Sequence, residues 1–380
     1  MNYKKYLVET IMPYWMRISP DDVNGGIKTF FDDDGNECDT NKNVWFLGRS
    51  MWSYALTYRL FDKNPKYLEM CERIYRYLEK CTFDGGRLPF VCTKDGKPEI
   101  FREYYYYSEA FAAIGCAQYY RICGKKDVWE KANLYYDKLF KLYMSEGDHT
   151  QDYGIPFPCK TFGLNMIMLN TAQFMRNVGI DEEKYDRLAK MALNEMMNGG
   201  FADDEKKIIF EHVGFDGKRL NPPYGLDSCP GHIFEAAWFV LCESEIKNDA
   251  DLRAFGKKLV DYAMPVNYTQ TTVLIPSGID TSKPLGKSVD EDALAWAQQE
   301  AMAAYGLAYS IFGEEKYKEL FEKTKEKAFP GDGTLNEGRY VYIGENNRRF
   351  EHVKGPFHLE RMLMALEILR ETGRIKGYME

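Results

Sequence analysis

The residues best equipped for chemistry cluster in Cys229-Pro230-Gly231-His232-Ile233-Phe234-Glu235-Ala236-Ala237-Trp238. Pro230 and Gly231 break the preceding chain, and His232, Glu235 and Trp238 then recur at helical spacing as an apolar run begins. An imidazole in a first helical turn feels the positive end of the helix dipole, which favours its neutral form. Glu235, three residues on, lies over the same face and is expected to orient or charge the ring. A core histidine satisfied by its own helix would carry the same pattern. What distinguishes this one is a second copy. Gly355-Pro356-Phe357-His358-Leu359-Glu360-Arg361 also places a histidine just after Gly and Pro, with charged Arg361 three positions on. Two imidazoles facing one pocket suit acid–base work, because this side chain titrates near neutral pH without large perturbation. On opposite sides of a substrate carbon, one could remove a proton and the other return one, the requirement for epimerisation next to a carbonyl.

Such a pair must be positioned by distant parts of the chain, and the helical patterns show how. A first helix is expected over 2–18, an apolar one over Val44 to Phe61, and a charged amphipathic one over Pro65 to Cys81. Others are expected at about 104–122, 127–145, 161–178, 182–198, 231–247, 249–263, 291–312, 314–328 and 357–372. Strands are few and short. Asp95-Gly96 signals a hairpin between Arg87 to Thr93 and Lys97 to Phe101, and strand pairs are expected near 206–213 and 339–350. Helices alternate between apolar nearly all round, as in Ala110 to Ala117, and charged on one face, as in Lys184 to Met197. A helix apolar on all sides must be covered on all sides. Six such helices recur at intervals of about 57 to 70 residues, the period of six helical hairpins closed into an all-α (α/α)6 barrel with short β-hairpins at one end. No Pro-, Gly- or Ser-rich linker divides residues 1–380, so a single domain is expected rather than stacked bundles.

If the inner helices run the same way, their N-termini meet at one mouth. Arg49 and Trp52 begin the first, Tyr107 and Glu109 the second, and Asn165 the third. His232 and Glu235 begin the fourth, Gln298 and Glu300 the fifth, and His358 and Arg361 the sixth. Each has a dull explanation as a cap or surface charge, but buried Arg and Glu without partners are rare. Their convergence indicates a pocket, at an end where helix N-termini also favour an oxyanion. His232-x-x-Glu235 has the spacing of a helical metal site, yet Arg361 beside His358 would oppose a divalent ion, so no catalytic metal is expected.

Composition narrows the partners. The chain of 380 residues has a formal charge of −8 and no long basic run, which argues against nucleic acid and anionic membranes. Nine cysteines without a Cys-x-x-Cys pair read as reduced thiols in a cytoplasmic protein. The N-terminal amphipathic stretch lacks a signal peptide's apolar core, and nothing approaches a membrane span. The aromatic content of 15% suits a sugar-binding cleft as well as packing.

Several blocks together resemble the N-acylglucosamine 2-epimerase family, over nearly the whole chain. They are Val44-Trp45-Phe46-Leu47-Gly48-Arg49-Ser50-Met51-Trp52, Phe90 to Pro98, Tyr107-Ser108-Glu109-Ala110-Phe111, Pro230 to Trp238, Trp296 to Met302 and Gly355 to Arg361. The resemblance implies an (α/α)6 barrel that interconverts sugars at C2 through ring opening and proton transfer, without a redox cofactor. It implies that His232 and His358 are the acid–base pair and that Arg49, Glu235, Glu300 and Arg361 are polar pocket residues. Tyr107 and Trp296 match sugar-facing aromatics, and the family often forms homodimers. In Trp296-Ala297-Gln298-Gln299-Glu300, Gln298 stands where acylglucosamine enzymes of the family often carry histidine; the disaccharide-epimerising branch also has Gln there. Conversely, that branch carries a histidine in the third inner helix, where this chain reads Leu164-Asn165-Met166-Ile167-Met168-Leu169-Asn170. The loop before His358 is shorter than in the acylglucosamine branch. The expected reaction is interconversion of N-acetylglucosamine and N-acetylmannosamine. Alternatives on the same scaffold are 2-epimerisation of mannose, glucose or cellobiose-type sugars and aldose–ketose isomerisation. Outside this class, an α/α barrel could carry a two-carboxylate glycoside hydrolase, or a sugar- or protein-binding module that has lost activity.

Overall fold

The computed structural model describes residues 2–32, 34–103, 105–145, 155–264, 275–276, 278–282, 295–328 and 355–374. The expected strand pair near 339–350 lies outside these residues.

The chain opens with α1 (Tyr3–Tyr6), which runs through a π-helical turn (Leu7–Ile11) into α2 (Met12–Ile18). The helices that follow are α3 (Val44–Leu60), α4 (Lys66–Cys81), α5 (Tyr107–Cys123), α6 (Lys126–Met144), α7 (Phe162–Arg176) and α8 (Glu182–Asn198). Then come α9 (Pro230–Lys247), α10 (Ala250–Ala263), α11 (Ala295–Phe312), α12 (Glu315–Ala328) and α13 (His358–Thr372). Their two kinds of sequence occupy two layers. Every residue of α7 is buried, as a helix covered on all sides must be. In α4 the buried set is Tyr67, Met70, Cys71, Ile74, Tyr75, Tyr77, Leu78 and Cys81, a stripe at the 3.6-residue period with charge opposite. Helices α3, α5, α7, α9, α11 and α13 form an inner ring, each packed on the next, and α13 returns to α3. Helices α4, α6, α8, α10 and α12 each cover the inner helix that precedes them in sequence.

The sixth pair joins residues far apart in sequence, because α1 and the π turn pack on α13. Trp15 Nε1 donates to Glu360 Oε1 at 2.9 Å across this seam. Ser53 Oγ donates to the Pro356 carbonyl at 2.8 Å and ties α3 to the approach to α13. Small residues set the spacing of the ring. A Cβ on Gly48 would stand 2.4 Å from the Phe111 carbonyl carbon, so α3 and α5 meet backbone to backbone.

The short strands gather where inner helices begin. Lys42–Asn43 pairs with Val91–Cys92, which pairs in turn with Pro98–Ile100, and leads directly into α3. Asn43 then caps α3 by accepting from the Phe46 N–H. Lys160–Thr161 precedes α7, and Asp227–Ser228, paired with Ile279–Asp280, precedes α9. The strand-like stretch at 206–213 divides between two partners. Ile208–Ile209 forms a local hairpin with Ala202–Asp203, whereas His212–Val213 pairs with distant Lys160–Thr161. Glu211 sits at the crossover, and its position there matters to the site below. No described helix is long and apolar enough to cross a membrane, and none of the nine cysteines is in a disulfide.

Candidate active site

At the mouth of the ring, Glu300 of α11 joins three helices. Its Oε1 accepts from His358 at 2.7 Å and from Arg361 Nη2 at 2.6 Å, while its Oε2 accepts from Trp238 Nε1 at 2.8 Å. Arg361 Nη2 also donates to Glu235 Oε1 at 2.5 Å. A buried guanidinium shared by two carboxylates in this way is a rigid strut; removing Arg361 would leave two uncompensated carboxylates in the core. His358 is thereby fixed. Burial, and then the positive charges of Arg49 and Arg361, push its pKa well below the usual histidine value. The imidazole is therefore neutral, and donation from Nδ1 to Glu300 assigns the lone pair to Nε2.

His232 has a different partner and the opposite charge preference. Its Nδ1 lies 3.1 Å from Glu211 Oε1, and the same oxygen accepts the Gly163 N–H at 3.0 Å. Burial opposes a charge on this ring, but the neighbouring Cys229 sulfur and the Glu211 carboxylate outweigh it and hold the pKa well above the usual value. The close approach depends on a missing side chain. A Cβ at Gly163 would lie 2.8 Å from both Glu211 Oε1 and His232 Nδ1.

The two imidazoles meet across Trp296. The indole centroid is 5.6 Å from the His232 ring and 5.5 Å from the His358 ring, so rings from α9 and α13 share one aromatic wall. Gly231 makes room for it, since a Cβ there would come within 2.3 Å of the indole.

Arg49 completes the arrangement. Its guanidinium carbon lies 4.4 Å from the Trp45 ring centroid, 4.3 Å from Phe111 and 4.6 Å from Phe357. Its buried Nε has no hydrogen-bond partner among the described residues. Burial lowers its pKa to about 10, with Glu235 acting in the opposite direction. An aromatic cage holds this cation by its faces and leaves N–H groups for a ligand oxygen.

The remaining expected residues divide by what they touch. Tyr107 stacks on Phe111 at 6.0 Å and packs against Trp45 at 5.6 Å, inside the same aromatic cluster. Glu235 is not the partner of His232. Its carboxylate turns to Arg361, and Glu211 takes the place assigned to it from spacing alone. Arg361 in turn binds Glu235 and Glu300 through Nη2 and Nε, and so positions the carboxylate that holds His358. Gln298 uses both ends of its amide on the backbone of Ile275, donating at 2.7 Å and accepting at 2.9 Å, and so anchors a loop. Glu109 accepts from Arg87 Nε at 2.9 Å and from the Leu88 N–H at 3.0 Å. Asn165 bonds Thr161 and Tyr143, and Trp52 is wedged between Phe174 and Phe357. Glu211 escaped the sequence analysis because no helical spacing connects it to His232. Its one sequence cue was an acidic residue inside an otherwise apolar strand-like run.

The chain matches the family model described as N-acylglucosamine 2-epimerase (GlcNAc 2-epimerase) over residues 25–329. It is 26% identical to the N-acylglucosamine 2-epimerase of Bos taurus, over 95% of this chain and 88% of that one. It is 22% identical to a cellobiose 2-epimerase of Ruminococcus albus, over 85% of each chain. The fold is shared with a D-mannose isomerase crystal structure at a TM-score of 0.77, with 19% identity over 97% of both chains. On these grounds, and with the ring of helices and its mouth as described, the chain belongs to the N-acylglucosamine 2-epimerase family.

Proposed function

We propose that the protein is a sugar 2-epimerase interconverting N-acetylglucosamine and N-acetylmannosamine, with His232 and His358 exchanging the C2 proton on opposite faces. The observation that carries this reading is the pair of imidazoles on one indole, each on its own carboxylate and biased to opposite protonation states. Titratable groups whose surroundings drive their pKa values apart divide naturally into acid and base.

In the open-chain sugar, the Nε2 lone pair of His358 takes the proton from C2. The C2–H electron pair becomes the C1–C2 double bond, and the carbonyl π pair moves onto the C1 oxygen. Arg49 bonds this oxyanion, a contribution worth about 10²–10³ in rate where such donors have been removed. His232, protonated on Nε2, then delivers its proton to the other face of C2 as the carbonyl re-forms. The product state has His358 charged and His232 neutral, which is the starting state for the reverse reaction. Trp296 and Tyr107 supply apolar wall for the sugar, and Glu211 and Glu300 hold the rings in register. No redox cofactor or metal takes part in this scheme.

Turnover in deuterated water, followed by NMR at the anomeric protons, tests the mechanism. Deuterium at C2 of the epimer is expected; an epimer formed without label there would refute proton exchange by the histidines. Mannose, glucose and cellobiose, assayed in parallel, test the substrate assignment. Appearance of a ketose from mannose, glucose or cellobiose would move the reading to aldose–ketose isomerisation through the corresponding enediolate.

A further inference from the structure

Two clusters at the mouth contain three potential metal ligands each, with ligand atoms within 4.8 Å of one another: Glu235, Glu300 and His358, and Glu211, Cys229 and His232. The first is already occupied by a cation of the protein itself. Arg361 Nη2 sits between the two carboxylates at 2.5 and 2.6 Å, where a metal would have to lie. No cationic side chain forms a salt bridge with Glu211 other than His232 among the described residues.

We propose that Glu211, Cys229 and His232 form a binding site for a thiophilic divalent cation such as Zn2+, and that a metal on Nδ1 holds the His232 ring neutral, leaving an Nε2–H that is too weak an acid to protonate C2. The donor set is one thiolate, one imidazole and one carboxylate, the mixture that borderline-soft ions select over Mg2+ or Ca2+. Three protein ligands and an open fourth position match a tetrahedral site that keeps one water. The geometry is close to what is required. Around a tetrahedral zinc, neighbouring ligand atoms stand roughly 3.3–3.7 Å apart, given Zn–N and Zn–O near 2.0–2.1 Å and Zn–S near 2.3 Å. The His232 Nδ1 to Glu211 Oε1 separation is 3.1 Å, so these two need to open only slightly. Cys229 is the N-cap residue of α9, and its sulfur lies within 4.8 Å of the other two ligand atoms. Outer contacts hold the set in place. The Gly163 N–H fixes Glu211 Oε1, and the Glu211 backbone bonds both Phe162 and Asp227. Metal binding releases protons from thiol and imidazole ligands, so affinity rises with pH. The inhibitory consequence rests on the proposed acid role of His232; the binding itself does not.

The experiment titrates the purified, reduced protein with Co2+ and Zn2+. Co2+ should give a near-ultraviolet thiolate charge-transfer band at one equivalent, displaced by one equivalent of Zn2+. Zn2+ should abolish C2 deuterium exchange in the same titration, with recovery on adding EDTA. Cys229→Ser should eliminate the band and weaken Zn2+ binding by at least the ~10–100-fold that loss of even an outer-shell partner costs. Cys38→Ser, at an exposed thiol that is not one of the three ligands, should change neither. Circular dichroism verifies that both variants are folded. Absence of the band, its survival in folded Cys229→Ser, or its loss in Cys38→Ser would overturn the assignment. Binding as expected with exchange unaffected would preserve the site and refute the role of His232 instead.

Discussion

Replacing Glu211 by Gln isolates the charge that holds His232 protonated. One oxygen of Glu211, Oε1, accepts from both Gly163 and His232, so an amide oxygen in the same place can keep both bonds. What disappears is the negative charge beside a buried imidazolium. A hydrogen bond to a charged group is worth about 1.5–3 kcal/mol against about 0.5–1.5 kcal/mol for a neutral one, so losing the charge removes on the order of 1 kcal/mol and lowers the His232 pKa. The direction for activity follows from the role. A general acid must hold its proton, so turnover is retained below the His232 pKa and lost as pH rises through it. In Glu211→Gln the alkaline limb of the kcat/KM profile should therefore move towards acid, by about one pH unit for a loss of that size. The acid limb belongs to His358, which must be neutral and whose pKa is already depressed, and it should stay where it is. Initial rates in both directions across the pH range, with circular dichroism as the control for folding, make the measurement. An alkaline limb that does not move in a folded variant would refute the pairing of Glu211 with a catalytic His232. Movement of the acid limb alone would reverse the acid and base assignments.

Two further substitutions test separate parts of the argument. Arg49→Met keeps the volume inside the aromatic cage and removes a buried cation whose Nε lacks a partner among the described residues. It should lower kcat by about 10²–10³ while leaving the melting temperature unchanged or higher; an active variant would remove Arg49 from the oxyanion site. Glu360, on the seam between the N-terminal helix and α13, has its pKa raised to about 7 by burial, against the opposing Trp15 hydrogen bond. A raised acid pKa means that the fold holds its proton more tightly than the unfolded chain. Its stabilising effect is full below about pH 4.5 and is lost as pH rises through 7. Glu360→Gln should match the wild type near pH 4.5 and exceed it by about 3 kcal/mol at pH 8, read from denaturant unfolding at both values. A constant difference across that range would show that the carboxyl does not titrate with folding.

How much of this was legible in the sequence follows from the range of the interactions involved. Hydrophobic period and the alternation of all-apolar with one-sided helices are local properties, and they led to the ring, its helix boundaries and the mouth where N-termini converge. The histidines were found for the same reason, since each follows a Gly-Pro or Pro-Gly break at a helix start. Partner choice was not legible, because it depends on which helices become neighbours. Spacing alone placed Glu235 over His232, but α9, α11 and α13 meet so that Arg361 takes that carboxylate and Glu300 takes His358. Glu211 reached His232 only through the pairing of His212–Val213 with Lys160–Thr161, strands some fifty residues apart in sequence. Trp296 became the shared wall of both imidazoles by lying over Gly231, a contact across two helices. The sequence by itself therefore determined the elements and the kinds of group at the mouth. Tertiary structure decided which carboxylate charges which ring, because a pKa is set by neighbours within a few ångströms in space and not by residues nearby along the chain.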